Sequence, residues 1–118
     1  MGFVSMHQRD QHFAKHGADF GVTTAAEYEK LADTFLGGSS PSGGTQQCAR
    51  PRGDLVRFDP ATDAYGVLGH DKMIRTFFKP IPCAAIPVDQ RISMKHAGRC
   101  HAHSTNLLYF QSECNRQW

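Results

Sequence analysis

The strongest constraint on the fold is a change of hydrophobic periodicity across a Gly- and Ser-rich segment, residues 37–47. Before this segment, apolar residues recur every three or four positions, which is the spacing of amphipathic helices. After it, short runs of β-branched and aromatic residues alternate with turn sequences, as in consecutive antiparallel strands. Helices followed by strands predict an α+β fold. We expect residues 37–47 to form a flexible loop inside one domain, because the part before it is too small to fold alone.

Two helices are predicted ahead of this loop. The first covers residues 7–18 and ends where Gly17 and Gly21 weaken the helix. The second begins after Thr24, a favourable N-cap residue, and Glu27 completes a capping box. Its buried stripe then follows at helical spacing and consists of Tyr28, Leu31, Ala32 and Phe35.

Three strands are predicted beyond the loop, at residues 55–58, 64–68 and 73–79, with short turns between them. Such turns join neighbouring antiparallel strands, so we expect a small antiparallel sheet against which the two helices pack. Strict alternation places Ile74, Thr76 and Phe78 on one face of the third strand. Residues 81–118 are predicted to be an irregular tail, with one short helix at 106–113 whose apolar anchors are Leu107, Leu108 and Phe110.

Composition fits a single globular domain spanning residues 1–118. Hydrophobic residues make up 40% of the chain and charged residues 20%, which argues against global disorder. No apolar run approaches the ~18 residues that span a bilayer, and the first residues lack the features of a signal peptide. The net charge of +2 is compatible with a nucleic-acid partner but does not predict one.

The four cysteines leave two possibilities open. Their spacing matches no compact disulfide framework, which favours buried free thiols. The alternative is a disulfide between two of Cys83, Cys100 and Cys114 that pins the tail to the sheet, as suits a protein crossing an oxidising compartment.

One helix carries a cluster that can perform acid–base chemistry. His12 and His16 are four residues apart, so both project from one side with Lys15 beside them. A neutral histidine can remove a proton near pH 7, and an ammonium group can hold a phosphate. The zinc-protease motif fails, because the position after His12 is Phe13 instead of Glu. A purely structural role of both histidines is the alternative at this point.

Two further clusters have weaker patterns. The strand segment 75–79 combines a threonine hydroxyl, aromatic rings and two cations. These groups could bind a phosphate and stack on a base of RNA. The alternative is a core strand whose charged residues lie at its edges. Near the C-terminus, Cys100, His101 and His103 are residue types that zinc favours, but the paired spacing of zinc sites is absent.

The segment Lys15-His16-Gly17-Ala18-Asp19-Phe20-Gly21 resembles the Lys-His-small-small-acid-Phe-Gly motif of the colicin D nuclease domain. Related C-terminal toxin domains occur in contact-dependent growth inhibition and in other polymorphic bacterial toxins. The similarity continues through the capped helix and residues 53–63, and it ends in residues 74–80.

This resemblance implies a barnase/EndoU/colicin/RelE-like fold and a metal-independent endoribonuclease without a cofactor. The expected substrate is tRNA, cut in the anticodon region by the RNA's own 2′-OH to leave a 2′,3′-cyclic phosphate. By position, His16 is the catalytic base and Lys15 contacts the RNA backbone. Thr76 and Phe78 stand where colicin D has a serine and a tryptophan.

The chemistry of RNA cleavage completes the predicted site. A leaving 5′-oxygen needs a proton, which we assign to His12, and the phosphate oxygens need cations or hydroxyls. The predicted catalytic residues are His16, Thr76, Lys15 and His12. The predicted substrate-binding residues are Phe78, Arg75, Lys79 and Arg57, with no metal ligand.

The resemblance also implies partners and a destination. A nuclease toxin needs a cognate immunity protein, which we expect to be acidic because the predicted cleft is cationic. The domain is expected to be secreted as part of a larger toxin or delivered to a target-cell cytoplasm, without a membrane partner. Two alternatives remain: a non-catalytic binding module for nucleic acid or protein, and a zinc-dependent nuclease built on the C-terminal Cys/His cluster.

Overall fold

The computed structural model describes residues 2–38 and 43–116. Within them the fold is α+β, as predicted. The helices are α1 (Met6–His16), α2 (Ala25–Gly37), α3 (Val88–His96) and α4 (Asn106–Cys114). The strands are β1 (Gly2–Phe3), β2 (Gln46–Ala49), β3 (Leu55–Asp59), β4 (Ala64–Leu68) and β5 (Met73–Phe78).

The two predicted N-terminal helices are present with shifted boundaries. Helix α1 ends at His16, and Gly17–Phe20 continues as a 3₁₀ turn. Glycine is needed at the first position of this turn, because a Cβ atom at position 17 would lie 2.5 Å from the ring of Phe13. Helix α2 is capped by Thr24, whose hydroxyl accepts the Glu27 N–H.

Helix α2 turns a slightly different face to the sheet than the sequence indicates. Tyr28 and Ala32 are buried as expected, but Leu36 is buried in place of Leu31, which is 40% exposed. The Tyr28 hydroxyl donates to the carbonyl of Phe77, so this helix is hydrogen-bonded to β5 as well as packed on it. The prediction that Leu31 belongs to the buried stripe was therefore wrong.

The sheet has the strand order β1-β5-β4-β3-β2 and is mixed. The predicted meander corresponds to antiparallel β3, β4 and β5, whereas β1 pairs parallel with β5 at one edge. A bulge interrupts β5, since Val67 pairs with Thr76 and Leu68 with Ile74. Ile74 therefore packs with the α2 cluster, and the prediction that it shares a face with Thr76 and Phe78 was wrong.

Each face of the sheet carries its own hydrophobic core. On one face, α1 and α2 cover residues that include Leu68, Ile74 and Phe77. On the other face, Phe110 of α4 packs on the core residues Val56, Phe58, Tyr65 and Val67. The sheet is thus covered on both sides, by the two predicted N-terminal helices on one face and by α4 on the other.

The prediction of an irregular C-terminal tail was wrong. The tail contains α3 and α4, and α4 confirms the short helix predicted at 106–113. The four cysteines form the disulfides Cys48–Cys114 and Cys83–Cys100, so the expectation of free thiols was wrong, whereas Cys83–Cys100 confirms the alternative of a disulfide within the tail. The bridge from α4 to the sheet uses Cys48, which the predicted pairings omitted. In α4 the buried residues are Phe110 and Glu113, whereas Leu107 and Leu108 are exposed and do not anchor the helix.

The loop predicted at residues 37–47 is shorter than expected. Gly37 ends α2, Gln46 begins β2, and residues 39–42 lie outside the described residues, so the expected flexibility of the segment stays a prediction. Within the described ranges, the helices are too short and too polar to cross a bilayer.

Candidate active site

A cavity of about 440 Å³ lies between α1, the end of β5 and the C-terminal region. Helix α1 and the turn after it provide one wall, β5 provides the floor, and residues around Arg99 provide the opposite wall. Its polar lining includes four of the predicted site residues on α1 and β5, which are His12, Lys15, His16 and Thr76. Phe78 and Lys79 also line it.

The helical spacing places the α1 histidines side by side, as the sequence indicates. The ring centroids of His12 and His16 are 6.1 Å apart. His12 packs on Phe3 of β1 at 5.1 Å, and His16 stacks on Phe78 of β5 at 5.0 Å with 27° between the ring planes. Both imidazoles are therefore held by rings of the sheet.

Burial and neighbouring cations keep these imidazoles neutral. Burial first, and then the charges of Lys15, His12 and Arg99, lower the pKa of His16 to about 4. Burial and the charge of Lys15 also lower the pKa of His12. A neutral imidazole has a free lone pair at physiological pH, so His16 is in the form that a general base requires.

The charged side chains of the cavity are mostly cationic. Lys15 and Arg99 are exposed and form no ion pair with any residue of the described ranges, while Lys79 lies over the ring of Phe20 at 5.4 Å. Asp19 is the acidic side chain among the lining residues. An excess of unpaired cations around neutral imidazoles suits a phosphodiester more than a neutral or cationic ligand.

The bulge in β5 decides which side chains reach the cavity. It places Thr76 and Phe78 on the face opposite Ile74, where both line the cavity. The ring of Phe78 contacts His16, Tyr65 and Tyr109, the last two edge to face. Phe78 therefore supports the His16 imidazole, in addition to any contact with a substrate that the sequence indicated.

Two predicted substrate-binding residues lie elsewhere. Arg75 faces a neighbouring cavity of about 410 Å³, which shares Thr76 with the first, and its guanidinium is 3.2 Å from the Asp71 carboxylate. Arg57 is only 3% exposed and donates hydrogen bonds to the Gln47 side chain and to carbonyls at the end of α2. The prediction that Arg57 binds the substrate was therefore wrong, because its guanidinium is buried and donates its hydrogen bonds within the protein.

The C-terminal region forms one wall of the cavity, which the sequence did not predict. Arg99, His101 and Tyr109 line the cavity, although no motif singles out the first or the last. His101 stacks on Tyr109 at 4.5 Å, and its Nε2 lies 2.8 Å from the Asn106 side-chain oxygen. This imidazole is thus held as a wall of the cavity.

A disulfide removes the cysteine ligand that the zinc alternative requires. Cys100 is bonded to Cys83, so its sulfur is not available to a metal. Across residues 2–38 and 43–116, no group of three or more metal-binding side chains is assembled. The residues that the zinc hypothesis needs are therefore not brought together.

Comparison with known proteins assigns no family: no family model matches the chain, and no curated protein matches it significantly. The interpretation of the cavity therefore depends on its own chemistry.

Proposed function

We propose that this protein is a metal-independent endoribonuclease that cleaves tRNA, and that it acts as a bacterial toxin domain. The observation that carries the proposal is the pair of neutral imidazoles, His12 and His16, beside the unpaired cation of Lys15 in one cavity. RNA supplies its own nucleophile, so a base, a proton donor and a cationic phosphate site suffice for cleavage.

The proposed reaction begins at His16. Its imidazole takes the proton of the ribose 2′-OH, and the oxygen attacks the adjacent phosphorus. The bond from phosphorus to the 5′-oxygen breaks, and His12 donates a proton to that oxygen. Binding of the phosphate anion favours protonated His12, because an opposite charge within a few ångströms stabilises imidazolium. The products are a 2′,3′-cyclic phosphate and a 5′-hydroxyl.

The Thr76 hydroxyl and the Lys15 ammonium bind the phosphate group in this proposal. Both line the same cavity as His16, and each can donate a hydrogen bond to a non-bridging oxygen on which negative charge develops. Phe78 acts by holding His16 through ring stacking at 5.0 Å. The described structure thus offers a group for each requirement of the reaction.

The test compares His16→Ala with His7→Ala on bulk tRNA in the presence of EDTA. His7 is an exposed histidine on the same helix that does not line the cavity, so it is a matched control. Loss of the base is expected to slow cleavage about 10²–10⁴-fold, whereas the control variant keeps the wild-type rate. Fragments with a 5′-phosphate, or a folded His16→Ala protein with full activity, would contradict the mechanism.

The same assay separates the remaining alternative. A non-catalytic binding module would bind RNA through Lys15 and Arg99 without producing fragments. Sequencing of tRNA ends after expression in a bacterium then tests the substrate class. We expect breaks confined to anticodon regions. Cleavage spread evenly over ribosomal RNA would contradict the tRNA assignment.

The toxin role implies a protein partner. We propose an acidic immunity protein that covers the cationic cavity, because opposite potentials speed association and neutralise Lys15 and Arg99 together. Expression of the chain alone is expected to arrest growth. Normal growth with a high yield of folded, oxidised protein would count against this role.

A further inference from the structure

We propose that Arg99 is a phosphate-binding residue of this cavity, presented by a disulfide-closed loop, residues 83–100. The inference rests on the proposed function and names a substrate contact beyond those predicted from the sequence. In this arrangement Arg99 is a second cation, on the opposite wall of the cavity from Lys15, and the RNA backbone binds between the two positive charges.

The loop is closed at its base by covalent and hydrogen bonds. Cys83 and Cys100 form a disulfide, the Cys83 N–H donates to the His101 carbonyl at 2.8 Å, and the His101 N–H donates to the Ile81 carbonyl at 3.0 Å. Helix α3 lies inside the loop and has no buried residue. Hydrophobic burial of α3 therefore does not explain the position of the loop, which is held by closure at its base and by the buried side chain of Ile86 ahead of α3.

The backbone on both sides of Arg99 is fixed. Gly98 has φ of 68°, a left-handed conformation that favours glycine and reverses the chain after α3. The Arg99 N–H donates to the Met94 carbonyl at 2.9 Å, and the next residue, Cys100, is held by the disulfide. The base of the Arg99 side chain therefore has a defined place at the rim of the cavity.

The charge of Arg99 is available to a ligand. It is exposed, lines the cavity and has no carboxylate partner in the described ranges, yet it is close enough to His16 to contribute to lowering that residue's pKa. The other arginine of the loop, Arg91, differs because it donates to the carbonyls of Ile86 and Ala84 and so stabilises the loop itself. A free guanidinium fork matches two phosphate oxygens, which a lysine cannot reproduce.

The experiment measures binding apart from cleavage. The probe is a fluorescent RNA oligonucleotide with 2′-O-methyl groups, which cannot supply the attacking hydroxyl, titrated with the full oxidised chain at several salt concentrations. Arg99→Ala and Arg99→Lys are compared with Lys95→Ala, which removes an exposed cation of the neighbouring helix α3 that does not line the cavity. Cys83→Ser/Cys100→Ser tests the loop closure, and circular dichroism checks folding.

Arg99→Ala is expected to weaken binding about tenfold and to lower the salt dependence by about one phosphate contact. Arg99→Lys should lie between wild type and Arg99→Ala, the double serine variant should weaken binding as Arg99→Ala does, and Lys95→Ala should change affinity less than about threefold. Equal losses for Arg99→Ala and Lys95→Ala would overturn the inference. So would wild-type affinity of the double serine variant.

Cleavage of unmodified tRNA by the same proteins keeps the two proposals apart. If the wild-type protein binds the probe with the expected ranking of variants but cuts no RNA, the proposed nuclease function fails while the role of Arg99 stands. If it cuts RNA and the Arg99 variants bind and cut like the Lys95 variant, the nuclease function stands and the role of Arg99 fails.

Discussion

Removing the two disulfides one at a time should destabilise the protein by different amounts. Cys48 and Cys114 are 66 residues apart, whereas Cys83 and Cys100 are 17 apart. Because a cross-link restricts the unfolded chain more when it closes a longer loop, the first is worth about 4.3 kcal/mol and the second about 3.1 kcal/mol in unfolding free energy.

Packing around the longer bridge increases the difference. Cys114 belongs to α4, whose Phe110 covers the second core and whose Glu113 pairs with the buried guanidinium of Arg50 at 3.2 Å. Loosening α4 therefore exposes apolar area and a buried ion pair, whereas the shorter loop holds no buried residue in α3.

Urea denaturation of Cys48→Ser/Cys114→Ser and Cys83→Ser/Cys100→Ser measures both losses. We expect the first variant to be less stable than the second by at least about 1 kcal/mol. Equal stability, or a larger loss in the second variant, would refute the reasoning from loop length and from α4 packing. Wild-type protein with both disulfides intact is the reference.

Two further predictions concern single side chains. Since the pKa of His16 is lowered to about 4, the acid limb of the kcat/KM profile for RNA should lie near pH 4, so that kcat/KM does not decline as pH falls through 6.5. The free energy of unfolding should decrease as pH falls from 6.5 to 4, because over this interval only the unfolded state gains the proton. A pH–rate profile with its acid limb at 6.5 would contradict this. Arg57→Met should lower the free energy of unfolding by about 1–3 kcal/mol in urea, because the carbonyls of Phe35 and Gly38 lose their donor, while affinity for the non-cleavable RNA stays at the wild-type value; a selective loss of RNA affinity would instead place Arg57 in substrate binding.

The helices and strands that could be predicted are those whose sequence signals span only a few consecutive residues. The cap at Thr24 and the short apolar runs separated by turns at β3 and β4 are local signals, so helix α2 and the meander follow from the sequence. Strand β1 has two residues and gains its place only by pairing with β5, which is distant in the chain. The bulge in β5 likewise depends on tertiary packing, so alternation alone misplaced Ile74.

The site was predictable to the extent that it lies on one helix. The spacing of His12 and His16 sets their proximity, and the structure adds Thr76 and Phe78 to the same cavity. Arg99 was not predictable, because only the Cys83–Cys100 bridge and the packing of His101 on Tyr109 bring the C-terminal wall to α1. Arg57 shows the opposite case: a cation on a strand looks available in the sequence but is buried in the fold.

The Cys48–Cys114 bridge also divides the molecule mechanically. A force applied to the chain ahead of α1 can extend that helix and α2, but the covalent loop shields residues 48–114 from the pull. The extended oxidised chain is therefore shorter than the reduced one by up to about 240 Å, from 66 residues at ~3.6 Å each. Thr76, Phe78 and Arg99 lie inside the shielded loop, while His12 and His16 lie outside it. Tension on the N-terminal side would therefore separate the two imidazoles from the rest of the cavity first.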